Sequence, residues 1–330
     1  MLRYFLRRFM YMIMTVWVLS VVSFLIIQLP AGDFVTNLAS QYAQQGRQVD
    51  QARLDNLRQR FGLDRPVYVQ YFSWATNLLR GDLGWSFRER RSVEKVIGDR
   101  IGLTAAISIA TLLLTYLVAV PIGIYSATHQ YSIGDYIGMF VGFLGMAMPN
   151  FLLALILMYI LLNAGQSVGG LFSPDYMRAA WSLGKFIDLL KHLPLPILIV
   201  GTAGTAGLIR VMRASLLDEL GKQYVITARA KGLRETKLVF KYPVRVALNP
   251  IASTIGWELP YIVSGGVITE MVLNLPTTGP MLFSALLTED MLLASSLLFF
   301  LNVLTVMGTF ISDIVLVIVD PRIRFTEREA

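Results

Sequence analysis

Six long apolar stretches constrain this chain more than any other feature of its sequence. A bilayer core about 30 Å thick needs roughly 20 apolar residues in helical form, and each stretch is of about that length. Lipid offers no partner for unpaired backbone groups, so a segment of this kind pairs its own groups by forming a helix. We therefore predict an all-α, polytopic membrane protein with six transmembrane helices, at Phe9–Leu29, Leu103–Tyr125, Tyr136–Leu162, Leu193–Val211, Ile251–Leu273 and Leu292–Val319.

The composition supports a membrane protein and argues against several other classes. Of the 330 residues, 55% are hydrophobic and only 15% are charged, whereas soluble domains are about a quarter charged. The net charge of +7 comes from basic residues scattered beside the spans, which argues against nucleic-acid binding. With no cysteine and only His129 and His192, the chain has no disulfide and is not expected to hold a metal.

The positions of Lys and Arg predict which flanks of the spans face the cytoplasm. The N-terminal tail, residues 214–247 and the C-terminal tail are basic, and all three fall on one side of a six-span topology. We therefore predict that both termini and residues 214–247 are cytoplasmic. Residues 31–100 hold eleven Lys and Arg on the opposite side, but this segment exceeds the length over which the rule has force.

These spans and flanks divide the chain into three predicted parts. Residues 1–30 form a cytoplasmic tail and the first membrane anchor, and residues 31–100 form a long extracytoplasmic segment. Residues 101–330 form a five-helix transmembrane core that contains the basic loop at about 214–247.

The extracytoplasmic segment has the pattern of two amphipathic helices separated by Pro66. We expect these helices to lie at the membrane surface. Their apolar faces serve either as interfacial packing or as a surface for a partner, and the pattern leaves both alternatives open. The apolar positions are Leu54, Leu57 and Phe61 in the first helix, and Tyr68, Tyr71, Phe72, Ala75, Leu78 and Leu79 in the second.

Small residues and prolines predict packing and bending inside the membrane. Three glycines recur every four residues in the third predicted span and a fourth follows three residues later, which indicates a face for close helix packing. Pro149 with Asn150 in that span, and Pro121 in the second, predict kinks. The glycines are Gly134, Gly138, Gly142 and Gly145.

Polar side chains within the spans are candidates for the lining of a pathway. Four hydroxyls in the second span are spaced four, three and four residues apart, which places them on one helix face. They either hold neighbouring helices together or line a wetted cavity, and both alternatives are open. The four residues are Thr104, Ser108, Thr111 and Thr115.

Two carboxylates in the spans need explanation, because a charge in hydrocarbon is costly unless it faces a cavity or a partner. Glu258, in the fifth predicted span, is a candidate pathway-lining residue, with a structural ion pair as the alternative. Asp313, near the end of the sixth span, is expected to pair with Arg210 or Arg213.

The polar stretch "GKQYVITARAKGLRETKLVFKYP", residues 221–243, interrupts the apolar sequence. Its signals predict a helix that ends near Lys231, a corner at Gly232 and a second helix from about Glu235 that stops at Pro243. Such a corner projects as a compact knob on which a protein partner could dock. The alternative is a basic loop held against anionic lipid. The predicted apolar face of the knob is Val225, Ala228 and Leu233, ringed by Arg229, Lys231 and Arg234.

The residue pattern of this stretch favours a protein partner over lipid. "YVITARAKGL" followed by "FKYPVRVALNPI" resembles the cytoplasmic coupling loop, or EAA motif, of integral-membrane subunits of type I ABC importers, in the dipeptide and oligopeptide permease branch. The resemblance covers essentially the whole chain, with further matches in the same order. These are "LRRF" near the N-terminus, "LPAGD" at Leu29–Asp33, residues 61–87, "HLPLP" at 192–196, "RASLLDEL" before the loop and "VDPRIR" at 319–324.

This resemblance implies that the chain is the first permease of a pair in a bacterial or archaeal cytoplasmic membrane. It implies a second homologous permease, two cytoplasmic ABC ATPase subunits and an extracytoplasmic substrate-binding protein as partners. The chain contains no G-x-x-x-x-G-K-[ST] motif, so we expect it to bind no cofactor and ATP and Mg to be held by the ATPases. The implied ATPase-coupling residues are Tyr224, Val225, Thr227, Ala228, Arg229, Ala230, Lys231, Gly232 and Leu233.

Two departures from the family pattern bear on function. Ile226 stands where the motif has its first glutamate, and "NLPTTGPML" at 274–282 stands where peptide permeases have a Pro-Gly-x-Gly turn. The expected cargo is therefore peptides, with oligosaccharides as the alternative. A gradient-driven secondary transporter is a more distant alternative, since we find no inverted repeat of broken helices. The spans also lack the paired acid and base of a membrane-embedded enzyme.

Overall fold

The computed structural model describes residues 2–28, 35, 36, 39, 51–86, 88–166, 169–264 and 266–319. Most of these residues are helical, and a short hairpin supplies two strands. The helices are α1 (Leu2–Ile27), α2 (Gln51–Phe61), α3 (Val67–Leu79), α4 (Val93–Thr128), α5 (Ile133–Ala147), α6 (Asn150–Asn163), α7 (Pro174–Met177), α8 (Leu183–His192), α9 (Pro194–Leu220), α10 (Gln223–Ala230), α11 (Glu235–Lys241), α12 (Pro243–Ser264), α13 (Val267–Val272), α14 (Thr278–Leu287) and α15 (Met291–Val319); the strands are β1 (Trp85–Ser86) and β2 (Arg91–Ser92).

Within the described part of the chain, four helices are long and apolar enough to cross a bilayer. They correspond to the first, second, fourth and sixth predicted spans, so the prediction of an all-α, polytopic membrane protein is confirmed. The second span, in α4, runs through Pro121 as one helix. The four segments are Leu6–Leu25, Val93–Thr128, Pro194–Leu220 and Met291–Val315.

The third predicted span is a pair of helices rather than one straight rod. α5 and α6 are bent by 102° at a break between Ala147 and Asn150, and the pair is long and apolar enough for a fifth crossing if it is one span. Met148 is extended, with φ −99° and ψ 121°, because a residue that precedes a proline is displaced from the helical region. The predicted bend at Pro149 is therefore confirmed.

The fifth predicted span has different bounds in the structure. We predicted one helix over Ile251–Leu273, whereas α12 begins at Pro243 and ends at Ser264, and the short α13 follows from Val267. The earlier start follows from proline chemistry, because a proline at the first helical position has its φ already set and needs no intrahelical N–H partner.

The chain divides into two compact units. One unit contains residues 13–104 and 276–303. It includes α2 and α3, so helices are confirmed on both sides of Pro66. Trp74 of α3 is buried there, its ring 5.5 Å from Phe24 and 5.9 Å from Phe299 between centroids.

A buried aspartate anchors the hairpin of this unit. Asp290 is fully buried, and its carboxylate accepts hydrogen bonds from the Ser86 hydroxyl at 2.6 Å and the Arg88 N–H at 3.1 Å. It also caps the start of α15 by accepting from the N–H of Leu293. The β1–β2 hairpin is therefore tied to the first turn of a long apolar helix.

The other unit contains residues 105–275 with the first part of α1 and the last part of α15. The predicted glycine face on α5 is confirmed as a packing surface. A Cβ added at Gly145 would lie 2.8 Å from the Thr202 side chain of α9, and one at Gly134 would lie 2.6 Å from the ring of Tyr125 in α4. Only glycine permits such close approach of these helices.

A buried ion pair joins α5 to α9 in the same unit. The Asp135 side chain is fully buried, and its two oxygens accept bonds from Arg213 Nε at 2.8 Å and Nη2 at 2.9 Å. The Tyr131 N–H donates a third bond to the same carboxylate at 3.0 Å. Bidentate geometry of this kind fixes the orientation of both side chains.

We predict that Arg213→Met destabilises the chain by about 3–5 kcal/mol, because it leaves the Asp135 carboxylate buried without its cation. The double variant Asp135→Leu/Arg213→Met should recover most of that loss, since it removes both charges together. Thermal unfolding of the purified chain in detergent measures both effects. A double variant less stable than Arg213→Met would contradict the assignment of a buried pair.

Candidate functional site

The interruption at residues 221–243 folds as the predicted helix, corner and helix. α10 ends at Ala230, and the Gly232 N–H donates to the Arg229 carbonyl at 3.0 Å. Gly232 has φ +78°, a conformation that glycine adopts without the steric penalty of a side chain. α11 then begins at Glu235, so the corner spans four residues between two short helices.

The inner face of this helix pair is held in the core, which corrects one prediction. Val225 is fully buried and Ala228 nearly so, both packed with Leu216 of α9 and Leu238 of α11. We predicted that Val225 and Ala228 would form an exposed apolar face, but two such short helices stay folded only by burying these side chains.

The outer face, which we call the corner surface, is a mixture of apolar and basic side chains. Tyr224 is 40% exposed and Ile226 is 47% exposed. Leu233 is half-buried at the end of the corner. Ile226 is absent from the residues we predicted. It follows the buried Val225 by one position, which turns it about 100° around the helix and out of the core. The remaining exposed members are Thr227, Arg229, Ala230, Lys231 and Gly232.

An ion pair closes the corner from outside. Arg229 donates to Glu235 through Nε at 3.0 Å and Nη2 at 2.6 Å, which links α10 directly to α11. The hydrogen bond from Arg229 lowers the pKa of the Glu235 carboxyl and raises the pKa of the Arg229 guanidinium. Both side chains are about half exposed, so solvent screens most of the attraction.

A further hydrogen bond connects the corner surface to α9. The Tyr224 hydroxyl donates to the Glu219 carboxylate in the last turn of that helix. Partial burial and this bond raise the pKa of Tyr224 above its ordinary value. Tyr224 is therefore a neutral donor at physiological pH, and it ties the first turn of α10 to α9.

One of the predicted pathway hydroxyls caps a helix. Thr104 Oγ1 accepts a hydrogen bond from the Thr278 N–H at 3.0 Å and donates one to the Arg100 carbonyl at 3.0 Å. It is buried and satisfies the first N–H of α14, which would otherwise have no partner. These bonds give Thr104 a structural role.

The other three predicted hydroxyls are buried on α4: Ser108, Thr111 and Thr115. A Cβ added at Gly201 of α9 would lie 3.1 Å from Thr115 Oγ1 and 3.3 Å from the Thr111 side chain. In the part of the chain that the structure describes, Thr111 Oγ1 has no hydrogen-bond partner. The face thus packs closely on α9 and presents a hydroxyl that a ligand or water could bind.

The structure bears differently on the predictions for the two carboxylates of the spans. Glu258 lies in α12, and its side chain is outside the described residues. Asp313 pairs with Arg8 of α1 at 3.0 Å, so the predicted pairing with Arg210 or Arg213 is wrong. The reason is tertiary: the basic end of α1 lies beside α15, and Arg213 is already bound to Asp135.

Sequence patterns near the termini fall partly outside the structure. The stretches "LPAGD" and "VDPRIR" lie outside the described residues, except for Val319 at the end of α15. Across the described residues, no group of three or more acidic or histidine side chains is arranged to hold a metal ion.

The helix pair should depend on its buried face far more than on its surface ion pair. We predict that Leu238→Ala costs about 2–5 kcal/mol, because the side chain is fully buried in a packed cluster. Arg229→Gln should change the free energy of unfolding much less. The contribution of the ion pair is complete above the ordinary pKa of glutamate and is lost as the pH falls through the lowered pKa of Glu235.

Chemical unfolding of the purified chain in detergent, followed by circular dichroism, measures both variants. Equal losses in Leu238→Ala and Arg229→Gln would contradict this division of roles.

Comparison with known proteins identifies the family of this chain. The model of the "binding-protein-dependent transport system inner membrane component" family matches residues 119–325, and the N-terminal model of the same type of component matches residues 1–108. The chain is 32% identical to the oligopeptide transport system permease protein AppB of Bacillus subtilis (strain 168), over 98% of this chain and 100% of that protein.

Other relatives match to a similar extent. A putative peptide permease protein of Brucella ovis is 34% identical over 99% of this chain and 100% of its own length. The glutathione transport system permease protein GsiC of Pectobacterium atrosepticum is 32% identical over 98% of this chain and 100% of its own length. With its membrane-crossing helices and family models that together cover most of its length, the chain belongs to the inner membrane component family of binding-protein-dependent transport systems.

Proposed function

We propose that this chain is a permease subunit of an ATP-driven importer and forms half of a pathway that carries peptides into the cell. The observation that carries the proposal is the exposed corner at Gly232, held between two short helices, in a chain of this transport family. The family consists of transport components rather than enzymes. ATP hydrolysis is therefore assigned to separate ATPase subunits, which hold ATP and Mg.

Peptides are the cargo that the relatives support. The names of the relatives in Bacillus, Brucella and Pectobacterium refer to oligopeptides, peptides and glutathione, all of which contain peptide bonds. We therefore place peptides before oligosaccharides, which are the second candidate because of the unusual turn at residues 274–282.

Coupling to ATP is proposed to pass through the corner surface. Its exposed tyrosine, isoleucine and basic residues suit a groove on an ATPase subunit. The same two helices are packed on α9 through Leu216, so a force applied to the corner reaches a membrane-crossing helix directly. Closure of the ATPase pair around nucleotide would shift the spans between inward-open and outward-open states.

The full complex is proposed to contain two permeases, two ATPases and an extracytoplasmic binding protein. If the bent pair α5–α6 and the pair α12–α13 are counted as one span each, the proposed topology has six crossings and both termini on one side. We propose that this side is the cytoplasm, because both terminal flanks are basic. Residues 31–100 then lie outside and help to receive the binding protein. We propose that Ser108, Thr111, Thr115 and Glu258 line the pathway. Thr104 is the fifth candidate, and its capping bonds favour a structural role over contact with the cargo.

The corner surface can be tested with two variants at one position. We predict that Gly232→Arg abolishes ATP-driven uptake, because a long cation obstructs the docked corner, while Gly232→Ala retains most of it. No atom lies within 4 Å of a Cβ added at Gly232, so both variants carry a similar backbone penalty of about 1–2 kcal/mol. The difference between them therefore reports on docking rather than folding.

The measurement is uptake by the complete importer in proteoliposomes, with membrane insertion and recovery of the ATPases measured in parallel. Equal uptake by Gly232→Ala and Gly232→Arg would show that the corner does not dock.

The cargo can be tested in the same proteoliposomes. We predict that uptake of a labelled oligopeptide requires ATP and the binding protein, and that unlabelled peptides compete while oligosaccharides do not. Competition by oligosaccharides alone would reverse the order of the two candidates. Uptake driven by a proton or sodium gradient without ATP would favour the secondary transporter.

A further inference from the structure

The short helix α8 has its polarity reversed relative to a helix that faces water. Four of its apolar side chains are exposed, among them Leu183 by 77%, Phe186 by 49% and Leu190 by 50%, while Leu189 is buried. The charged side chains Lys185 and Asp188 in its middle are buried, with 7% and 8% exposure, and the third, Lys191, is exposed in the last turn. A helix on a water-exposed protein surface shows the opposite arrangement.

The buried lysine is satisfied by its own segment. Lys185 Nζ donates to the Ala179 carbonyl at 2.6 Å. The ammonium also lies 4.8 Å from the ring centre of Phe172 and 5.4 Å from that of Trp181, within the range of cation–π attraction. The hydrogen bond and the two rings therefore compensate for the loss of water around the ammonium group.

The buried aspartate is satisfied in the same way. Asp188 accepts hydrogen bonds from the Ser173 hydroxyl at 2.5 Å and the Ser173 N–H at 2.7 Å. These bonds lower the pKa of the Asp188 carboxyl, which stays ionised at physiological pH. Residues 172–188 thus form a folded frame that holds the charged side of α8 inward and leaves its apolar side outward.

The connections of α8 place it at a membrane surface. The bent pair α5–α6 ends at Asn163, and the membrane-crossing helix α9 begins at Pro194, two residues after α8 ends at His192. α8 has 10 residues and is about 15 Å long, which is too short to cross a bilayer. It therefore cannot lie far from the level at which α9 enters the lipid.

We propose that α8 lies in the membrane interface with Leu183, Phe186, Ile187 and Leu190 inserted among the lipids. Lipid is the occupant that fits, because the face is continuous with the entry of a spanning helix and the charges within it, Lys185 and Asp188, are buried. The exposed Lys191 lies at the edge of the face, where a long cationic side chain can reach the headgroups. Trp181, 64% exposed, extends the same surface, and an indole ring is typical of the level of the lipid headgroups. The helix anchors the end of α9 that is opposite the corner surface.

The natural absence of cysteine makes a direct test possible, since an introduced cysteine is the sole labelling site in the chain. Leu183→Cys, Phe186→Cys and Leu190→Cys report on the apolar face. Asp175→Cys and Arg178→Cys are matched controls on exposed polar positions of the same segment, outside α8. Each full-length variant is spin-labelled in nanodiscs of phosphatidylethanolamine and phosphatidylglycerol, and its collision rates with oxygen and with a water-soluble nickel complex are compared.

Because oxygen concentrates in lipid and the nickel complex in water, we expect oxygen to collide faster at the three apolar-face labels and the nickel complex to collide faster at the two controls. Faster nickel collisions at the apolar face would show that α8 faces water and would overturn the proposal. Slow collisions with both probes would also overturn it, because they would show that another protein surface covers the face. Elution of each variant as the same single species as the parent chain confirms that the label has not disrupted folding.

Discussion

The exclusion of water from a lipid bilayer is the constraint on which the rest of this structure depends. Backbone groups in the spans must pair within their own helices, and side-chain charges near the spans must find partners. The long helices α4, α9 and α15 meet the first requirement. The pairs Asp135–Arg213 and Arg8–Asp313 meet the second, and each joins two helices that are far apart in the sequence.

The same constraint shapes the corner at Gly232, where the chain leaves the apolar sequence. α10 and α11 are too short to be stable alone, so they bury Val225 and Leu238 against the end of α9. Through this burial the two short helices of the polar segment are packed against the end of a spanning helix. Contacts made at the exposed side of the corner therefore act on the bundle through packed side chains.

Under our proposal for α8, its exposed apolar side chains are a second consequence. In a helix that touches lipid, the apolar residues face outward, and a charged residue must be held by the protein. Lys185 and Asp188 are held by a carbonyl, two rings and a serine. Under the two proposals, α9 is held by the lipid-facing α8 at one end and by the docked corner surface at the other.

The sequence by itself determined which segments are helical and apolar, where the third span bends and where the corner falls. These properties follow from local chemistry: span length, the loss of an N–H at Pro149, and the freedom of Gly232 to adopt a positive φ. Only the tertiary structure decided which residues meet. It buried Val225 and Ala228, moved the partner of Asp313 to Arg8, and gave Thr104 a capping role, because each outcome depends on which helices are neighbours, and helical periodicity along the chain carries no information about neighbours.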